Sequence, residues 1–361
     1  MPENGRKGAT SATAEGSAKG QGTAPETGRV TIADIAREAG VSVPTVSKVL
    51  NGHSHVSPVT REKVESLLES HHYLRRRSRP ARTVGLIDLV IDELDSPWSV
   101  EVIRGVDEVA AGHRTGVVVT AVHGRAADTV RWLDNIAQRG SDGVILTVTE
   151  LSPVHRRKLQ DLNTPLVLVD PVGTPDPGVP SVGATNWHGG LAATQHLLDL
   201  GHRRIAILTG PENVLCARAR LDGYRAALEG AGIPVDPALV ADGVFRHASG
   251  FSAMNGLLAL ADPPTAVFAC SDLQALGAYE ALRRAGLGVG RDVSMVGFDD
   301  LPTAAWASPP LTTVRQPLSE MAGMAARMVL QGVGTVLPGG TQRLELATEL
   351  MVRESTAPPP H

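Results

Sequence analysis

Two groups of residues in this 361-residue chain carry recognisable chemistry. The first is basic. Arg75, Arg76, Arg77, Arg79 and Arg82 crowd the stretch HHYLRRRSRPART at 71–83. Each guanidinium can neutralise a phosphate, which predicts binding that weakens steeply with salt; the bland reading of the same cluster is a solvated tether. The second group is acidic and hydroxylic. Asp170, Ser271 with Asp272, and Asp299 with Asp300 each end a short run rich in Val, Ile or Leu. In open α/β sheets ligands sit beyond the carboxyl ends of strands, so these residues are candidate contacts to a small polar ligand. The competing role for Asp272 and Asp299 is to cap the following helix. Catalysis finds little support: the sequence has no P-loop, no G-x-S-x-G elbow and no H-E-x-x-H. The run GLGVGR at 286–291 lacks the spacing of a dinucleotide site. Cys216 and Cys270 form neither a disulfide framework nor a metal-ligand pattern with histidine, so no metal, no cofactor and a reducing cytoplasm are expected.

These residues need elements to hold them. Residues 1–28 are rich in Gly, Ala, Ser and Thr and are expected to be a disordered tail without the apolar core of a signal peptide. Thr31 then caps a first helix, with Asp34 three positions on. Ile32, Ile35, Ala36 and Ala39 share a face, and Gly40 ends the helix. Ser42 caps a second helix over 43–50, with Val46, Val49 and Leu50 inward and Val43, Pro44, Thr45, Ser47 and Lys48 near its exposed start. Ser57-Pro58 opens a third helix to about Ser70, striped by Val64, Leu67 and Leu68. Three short helices with a tight turn between the first two form a helix-turn-helix unit. From Val84 the texture changes to near-continuous apolar runs, such as VGLIDLVI, GVILTV and PLVLVD, alternating with helical segments. That alternation implies parallel sheets covered on both faces. The predicted fold class is a small all-α helix-turn-helix domain followed by an α/β core of two doubly wound parallel-sheet lobes. His202 reads as a structural surface residue.

Charge follows this division. Residues 1–82 hold 13 Lys/Arg and 8 Asp/Glu, a net +5, and the remainder holds 21 and 30, a net −9. A basic head on an acidic body fits a nucleic-acid-binding head on a body that does not bind it.

The run TIADIAREAGVSVPTVSKVLN, with DLQALGA at 272–278, VGFDD at 296–300 and PLTTVRQP at 310–317, resembles the LacI/GalR family of bacterial transcription regulators over about residues 29–356. The resemblance implies a helix-turn-helix domain at 29–73, a hinge at 74–83 and an effector-binding, dimerising core at 84–356 that is similar to periplasmic sugar-binding proteins. Within the core it implies a first lobe at about 84–182 and 317–342 and a second at 183–316 and 343–356, before a tail at 357–361. It further implies a homodimer on a near-palindromic double-stranded operator, switched by a small effector in the cleft. On the matching positions, Val43, Pro44 and Lys48 read bases, while Thr31, Ser42, Thr45, Ser47 and Asn51 serve the backbone or the caps; Arg75, Arg76 and Arg77 are DNA contacts on their own chemistry, in a linker where the family pattern is not kept. Arg220, Asp299, Asp170, Ser271 and Gln316 match polar effector contacts, and Trp98 and Phe245 match the aromatics against a sugar ring. Two positions depart from the family. Lys48 stands where Arg is usual, which removes the bidentate fork. The linker is Arg-rich, short and interrupted by Pro80, which opposes a regular hinge helix. The function these residues predict is a repressor relieved by a sugar or similar polar effector; a nucleobase or protein co-regulator, or activation in place of repression, is the alternative.

Overall fold

The computed structural model describes residues 31–50, 56–71, 84–122, 126–147, 157–158, 161, 164–171, 178–332 and 342–360. Asn51, Arg75, Arg76, Arg77 and the whole 74–83 linker lie outside the described residues, as does the 1–28 tail. The chain divides into two compact units, Met1–Ala81 and Arg82–His361.

In the first unit, helix α1 spans Ile32–Ala39, α2 Val43–Leu50 and α3 Pro58–Ser70. The caps are those the sequence predicts. Thr31 and Asp34 form a reciprocal capping box, Gly40 ends α1 in the left-handed conformation at φ 69°, and the Ser42 hydroxyl accepts the Thr45 amide. Ser57 does the same for α3 through the Thr60 amide. A cluster of Ile35, Ala36, Ala39, Val46, Val49 and Val64 joins the three helices. With so few buried side chains, caps worth about 1 kcal/mol each are a large share of what holds the unit.

The second unit contains two six-stranded sheets. Strands β1 (Leu86–Ile91), β2 (Gly116–Ala121), β3 (Gly143–Thr147), β4 (Leu166–Val169), β5 (Ser181–Ala184) and β11 (Arg343–Leu346) form the first, in the order β11-β5-β4-β3-β1-β2. Strands β6 (Ile205–Leu208), β7 (Val240–Ala241), β8 (Ala266–Ala269), β9 (Ser294–Asp299), β10 (Thr312–Arg315) and β12 (Glu349–Met351) form the second, in the order β12-β10-β9-β8-β6-β7. Among the described residues all strand pairs are parallel except β10 with β12. The connecting helices are α4 (Pro97–Gly112), α5 (Ala126–Arg139), α6 (Asn186–Asp199), α7 (Leu215–Gly230), α8 (His247–Leu258), α9 (Asp272–Arg284), α10 (Pro302–Trp306) and α11 (Leu318–Leu330). The central strands are buried along nearly their whole length, as helices on both faces require.

The chain passes between the lobes three times: from β5 into α6, from β10 into α11, and from β11 into β12. This corrects the expected lobe boundary. Residues 343–346 pair with Ser181–Ala184 in the first sheet and belong to the first lobe, and the last crossing falls at 347–348. The reason is that RLEL is a solvated edge strand without an apolar run.

The chain end is also bound more closely than a tail. The Ser355 hydroxyl, fully buried, donates to Met295 O and accepts the Thr312 amide. Ala357 bonds to the Ser294 hydroxyl, and its carbonyl accepts from His202 Nε2 at 2.9 Å. His202 is therefore buried, contrary to the surface position expected. Since a carbonyl only accepts, Nε2 carries the proton and Nδ1 takes the Thr265 hydroxyl. Burial lowers the His202 pKa below 6.5, and burial also lowers that of His196, which touches Thr356. Between the folded pKa and about 6.5 the unfolded chain binds the proton and the folded chain does not, so this stability is complete above that window and is lost as pH falls through it. The melting temperature should drop on acidification below about pH 6.5, and less so in His202→Gln; parallel pH profiles for the two proteins would remove His202 from the effect.

Candidate functional site

In the first unit, α2 presents a divided surface. Val46 and Val49 are buried, while Val43, Pro44 and Lys48 are exposed. Val43 is 45 % exposed, a large fraction for an apolar residue in a domain with so little core to spare. Thr45 and Ser47 are partly buried; the Thr45 hydroxyl bonds to Ser42 at 2.9 Å. Thr31 directs its hydroxyl to Asp34 at 2.6 Å, so its role in the fold is the cap.

In the second unit the site centres on Arg220, which is 2 % exposed. Its place is set by packing. A Cβ on Gly190 of α6 would lie 2.3 Å from the Arg220 carbonyl, so the missing side chain lets α6 and α7 meet backbone to backbone. The guanidinium then spends three donors within the protein: Nε on Asn186 Oδ1 at 2.8 Å, Nη1 on Cys270 O at 2.6 Å and Nη2 on Gln316 Oε1 at 3.0 Å. It lies 3.6 Å from the ring centroid of Phe298 and 5.5 Å from that of Phe245. Nη1 is 3.9 Å from Asp299 Oδ1, an ion pair beyond hydrogen-bond length. Two N–H groups of the five remain for a ligand.

Carboxyls surround this cation. Asp170, at the end of β4 with φ 49°, comes from the first lobe. Burial raises its pKa, against the pull of Arg220 and hydrogen bonds from Cys216, Gln316 and Asn186. Asp299, with φ 115°, is pushed to about 7 by burial, opposed by Arg220, raised further by Asp170 and eased by the Asp272 amide at the start of α9. Such φ values are costly outside glycine and are found where surrounding structure imposes them, often at functional sites. Burial works against the Arg220 charge as well, but Cys216, Asp299 and Asp170 more than offset it. The Cys216 thiol is driven well up by burial and by Asp170.

The structure therefore brings together Asp170, Arg220, Phe245, Asp299 and Gln316. Ser271 and Trp98 have other occupations. Ser271 caps α9, its hydroxyl accepting the Gln274 amide and bonding to Gln274 Oε1. Trp98 packs, partly buried, against the first lobe's core from the first turn of α4. Asp272 holds the Thr313 hydroxyl at 2.5 Å and the Leu301 amide at 2.7 Å, a structural tie between β10 and the β9–α10 loop. Asn186, Cys216 and Phe298 were not anticipated. Asn186 follows a strand end just as Asp170 does, but SVGA is too short and mixed to announce a strand. An open cavity of about 330 Å³ adjoins Asp299 and Gln316 and is walled by Glu101, Arg315, Pro302 and Leu318. That volume lies at the low end of small-molecule sites, about 300–1,000 Å³. Fixed donors, ionisable acceptors and ring faces together suit a ligand with several hydroxyls.

Among the described residues no cluster of His, Cys, Asp or Glu is placed to hold a metal, and no helix is long and apolar enough to cross a membrane.

Residues 31–76 match the family described as bacterial regulatory proteins, lacI family, and residues 194–356 match the periplasmic binding protein-like domain. The transcriptional regulator CelR of Thermobifida fusca is 37 % identical over 336 residues, 91 % of this chain and 98 % of that protein. A solved CelR–cellobiose complex superposes with a TM-score of 0.70 at 36 % identity, covering 91 % of this chain and all of that one. The lac repressor dimer bound to operator and an anti-inducer superposes at 0.66 with 30 % identity, covering 91 % and 99 %.

Proposed function

The chain belongs to the lacI family of bacterial regulatory proteins, and from that premise we propose that it is a dimeric, operator-binding repressor whose DNA affinity is switched by a neutral saccharide held around Arg220. The observation that carries this reading is the position of Asp170. It reaches from the first lobe into a cluster of Cys216, Asn186, Arg220 and Gln316, all beyond the first crossing. A ligand that satisfies these groups with its own hydroxyls replaces bonds that now join the lobes. Its affinity thereby becomes a force on their relative angle, which is what a coupling of a few kcal/mol needs. The relative solved as a cellobiose complex supports a sugar as the ligand class. The carboxyls around a single cation disfavour an anionic ligand. Binding and release, without turnover, complete the cycle.

On the DNA side we assign base contact to Val43, Pro44 and Lys48, with apolar surface for thymine methyls and an ammonium for guanine acceptors. Thr45, Ser47 and the α2 N-terminus would meet phosphates. Asn51, Arg75, Arg76 and Arg77 are assigned to the backbone on sequence grounds. Lys48→Ala should weaken binding to a selected operator by about 1–3 kcal/mol while barely altering non-specific binding; an unchanged footprint would reject this register. An operator selected from random DNA, challenged with a panel of saccharides and purine bases, tests the whole reading. Release by a saccharide sustains it; release by a base alone transfers the cleft to a nucleobase.

A further inference from the structure

The sheet orders place the hinge and the cleft mouth at opposite edges. In each sheet the strands next to the crossings, β5 and β11 in the first and β10 and β12 in the second, lie together at one edge. In the first sheet β1 and β2 lie at the far edge; in the second β6 and β7 do. Contacts made beyond the ends of these far strands have the longest lever arm on lobe closure.

One such contact is present. Glu93 follows β1 by two residues, and its carboxylate accepts a short hydrogen bond from Arg246 Nη2, in the residue that precedes α8. Asp92 and Asp95 add their fields to the same guanidinium. Three carboxylates of one lobe thus face one arginine of the other. Trp98 follows Glu93 by five residues, in the first turn of α4, and Phe245 directly precedes Arg246.

We infer that Glu93 and Arg246 form an inter-lobe latch that biases the unliganded core toward its closed arrangement and so sets the effector's access to the Arg220 cluster. The Arg246 side chain is 56 % exposed and that of Glu93 27 %, so water and salt screen the pair. A bias of a few-fold follows, which leaves the lobes free to open. The latch uses residues other than those of the Asp170–Arg220 contacts, although Phe245, beside Arg246, lies 5.5 Å from the Arg220 guanidinium. Its effect on operator affinity rests on the repressor reading above; its effect on lobe opening does not.

The test uses the full chain without DNA or ligand. Amide exchange is followed in the segments containing Asp170 and Cys216–Arg220 for the unchanged protein, Arg246→Glu, Glu93→Arg and the double reversal. Each single reversal should speed exchange about three- to five-fold, the size of a screened ion pair lost, and the double reversal should recover part of that change, since Asp92 and Asp95 still face position 246. Unchanged exchange in the single variants overturns the latch, as does a double variant that recovers nothing. If a reversal fails to fold, Glu93→Gln, Arg246→Gln and their combination form a cycle in which strictly multiplicative effects on exchange overturn it equally. Operator affinity measured on the same proteins then reports on the repressor reading separately: exchange partly restored by the double reversal with operator affinity unmoved throughout keeps the latch and removes its link to DNA.

Discussion

Replacing Arg220 with Ala is expected to leave operator binding intact and to abolish its response to effector. The side chain has two free N–H groups to offer a ligand, and charge-assisted hydrogen bonds contribute about 1.5–3 kcal/mol each. Their loss alone lowers effector affinity by about 3 kcal/mol, or roughly 100-fold. The loss within the protein is comparable. Asn186, the Cys270 carbonyl and Gln316 each lose a donor, and the Phe298 and Phe245 rings lose the cation between them. Breaking a buried ionic cluster by removing one partner costs about 3–5 kcal/mol. Here the lower end applies, because burial has already raised the pKa of both Asp170 and Asp299, which eases their protonation once the cation is gone. The variant should therefore melt earlier yet remain folded at room temperature. The helix-turn-helix unit, compact in its own right, keeps its caps and its exposed face. Arg220→Lys separates charge from shape: an ammonium cannot reach three acceptors and stack on Phe298 at once, so it should rescue little. Release of operator by effector at the original dose in the Ala variant would show that Arg220 is not the centre of the site.

Much of this arrangement was legible in the residues. The caps at Thr31, Gly40, Ser42 and Ser57 follow from local backbone chemistry, and short-range rules predict them well. The buried central strands stood out because parallel strands covered on both faces are apolar throughout. The same criterion failed where burial is partial or the strand is short: RLEL at the solvated edge, SVGA at the first crossing and TTVR leading to the second. Missing those strands displaced the last lobe boundary and hid Asn186. Strand-end logic found Asp170 and Asp299, but it cannot say which strand ends converge. Ser271 and Asp272 satisfy it as well, and they serve the cap of α9 and the β9–α10 loop. Phe298 was not foreseen for a related reason. It lies beside Asp299 in the strand and reads as core, which it also is; only the fold places Arg220 over its ring.

Effector affinity should rise with pH through neutrality, and the sign follows from Asp299. In the empty site its carboxyl titrates near 7, held there chiefly by burial, with Asp170 adding to the shift and Arg220 and the Asp272 amide limiting it. A saccharide hydroxyl that donates to Asp299 needs the carboxylate, so binding must expel whatever proton is there. From about pH 6 to about pH 8 the ionised fraction rises from about 0.1 to about 0.9, and affinity should rise roughly ninefold with it. At about pH 7 calorimetry in buffers of different ionisation enthalpy should detect release of about half a proton per site. Asp299→Asn should bind more weakly and lose the pH dependence. Proton uptake in place of release would mean that the protonated acid donates to the ligand, reversing the assignment. The same group affects stability in the opposite sense to His202. Its folded pKa is raised above 3.8, so the folded core holds a proton that the unfolded chain releases between about 4 and about 7, and that contribution is lost as pH rises. His202 loses its contribution as pH falls from about 6.5, inside the same range, so there the two groups offset one another. Effector stabilises only the form with Asp299 ionised, so the rise in melting temperature at saturating ligand should grow with pH through neutrality in the unchanged protein and stay flat in Asp299→Asn.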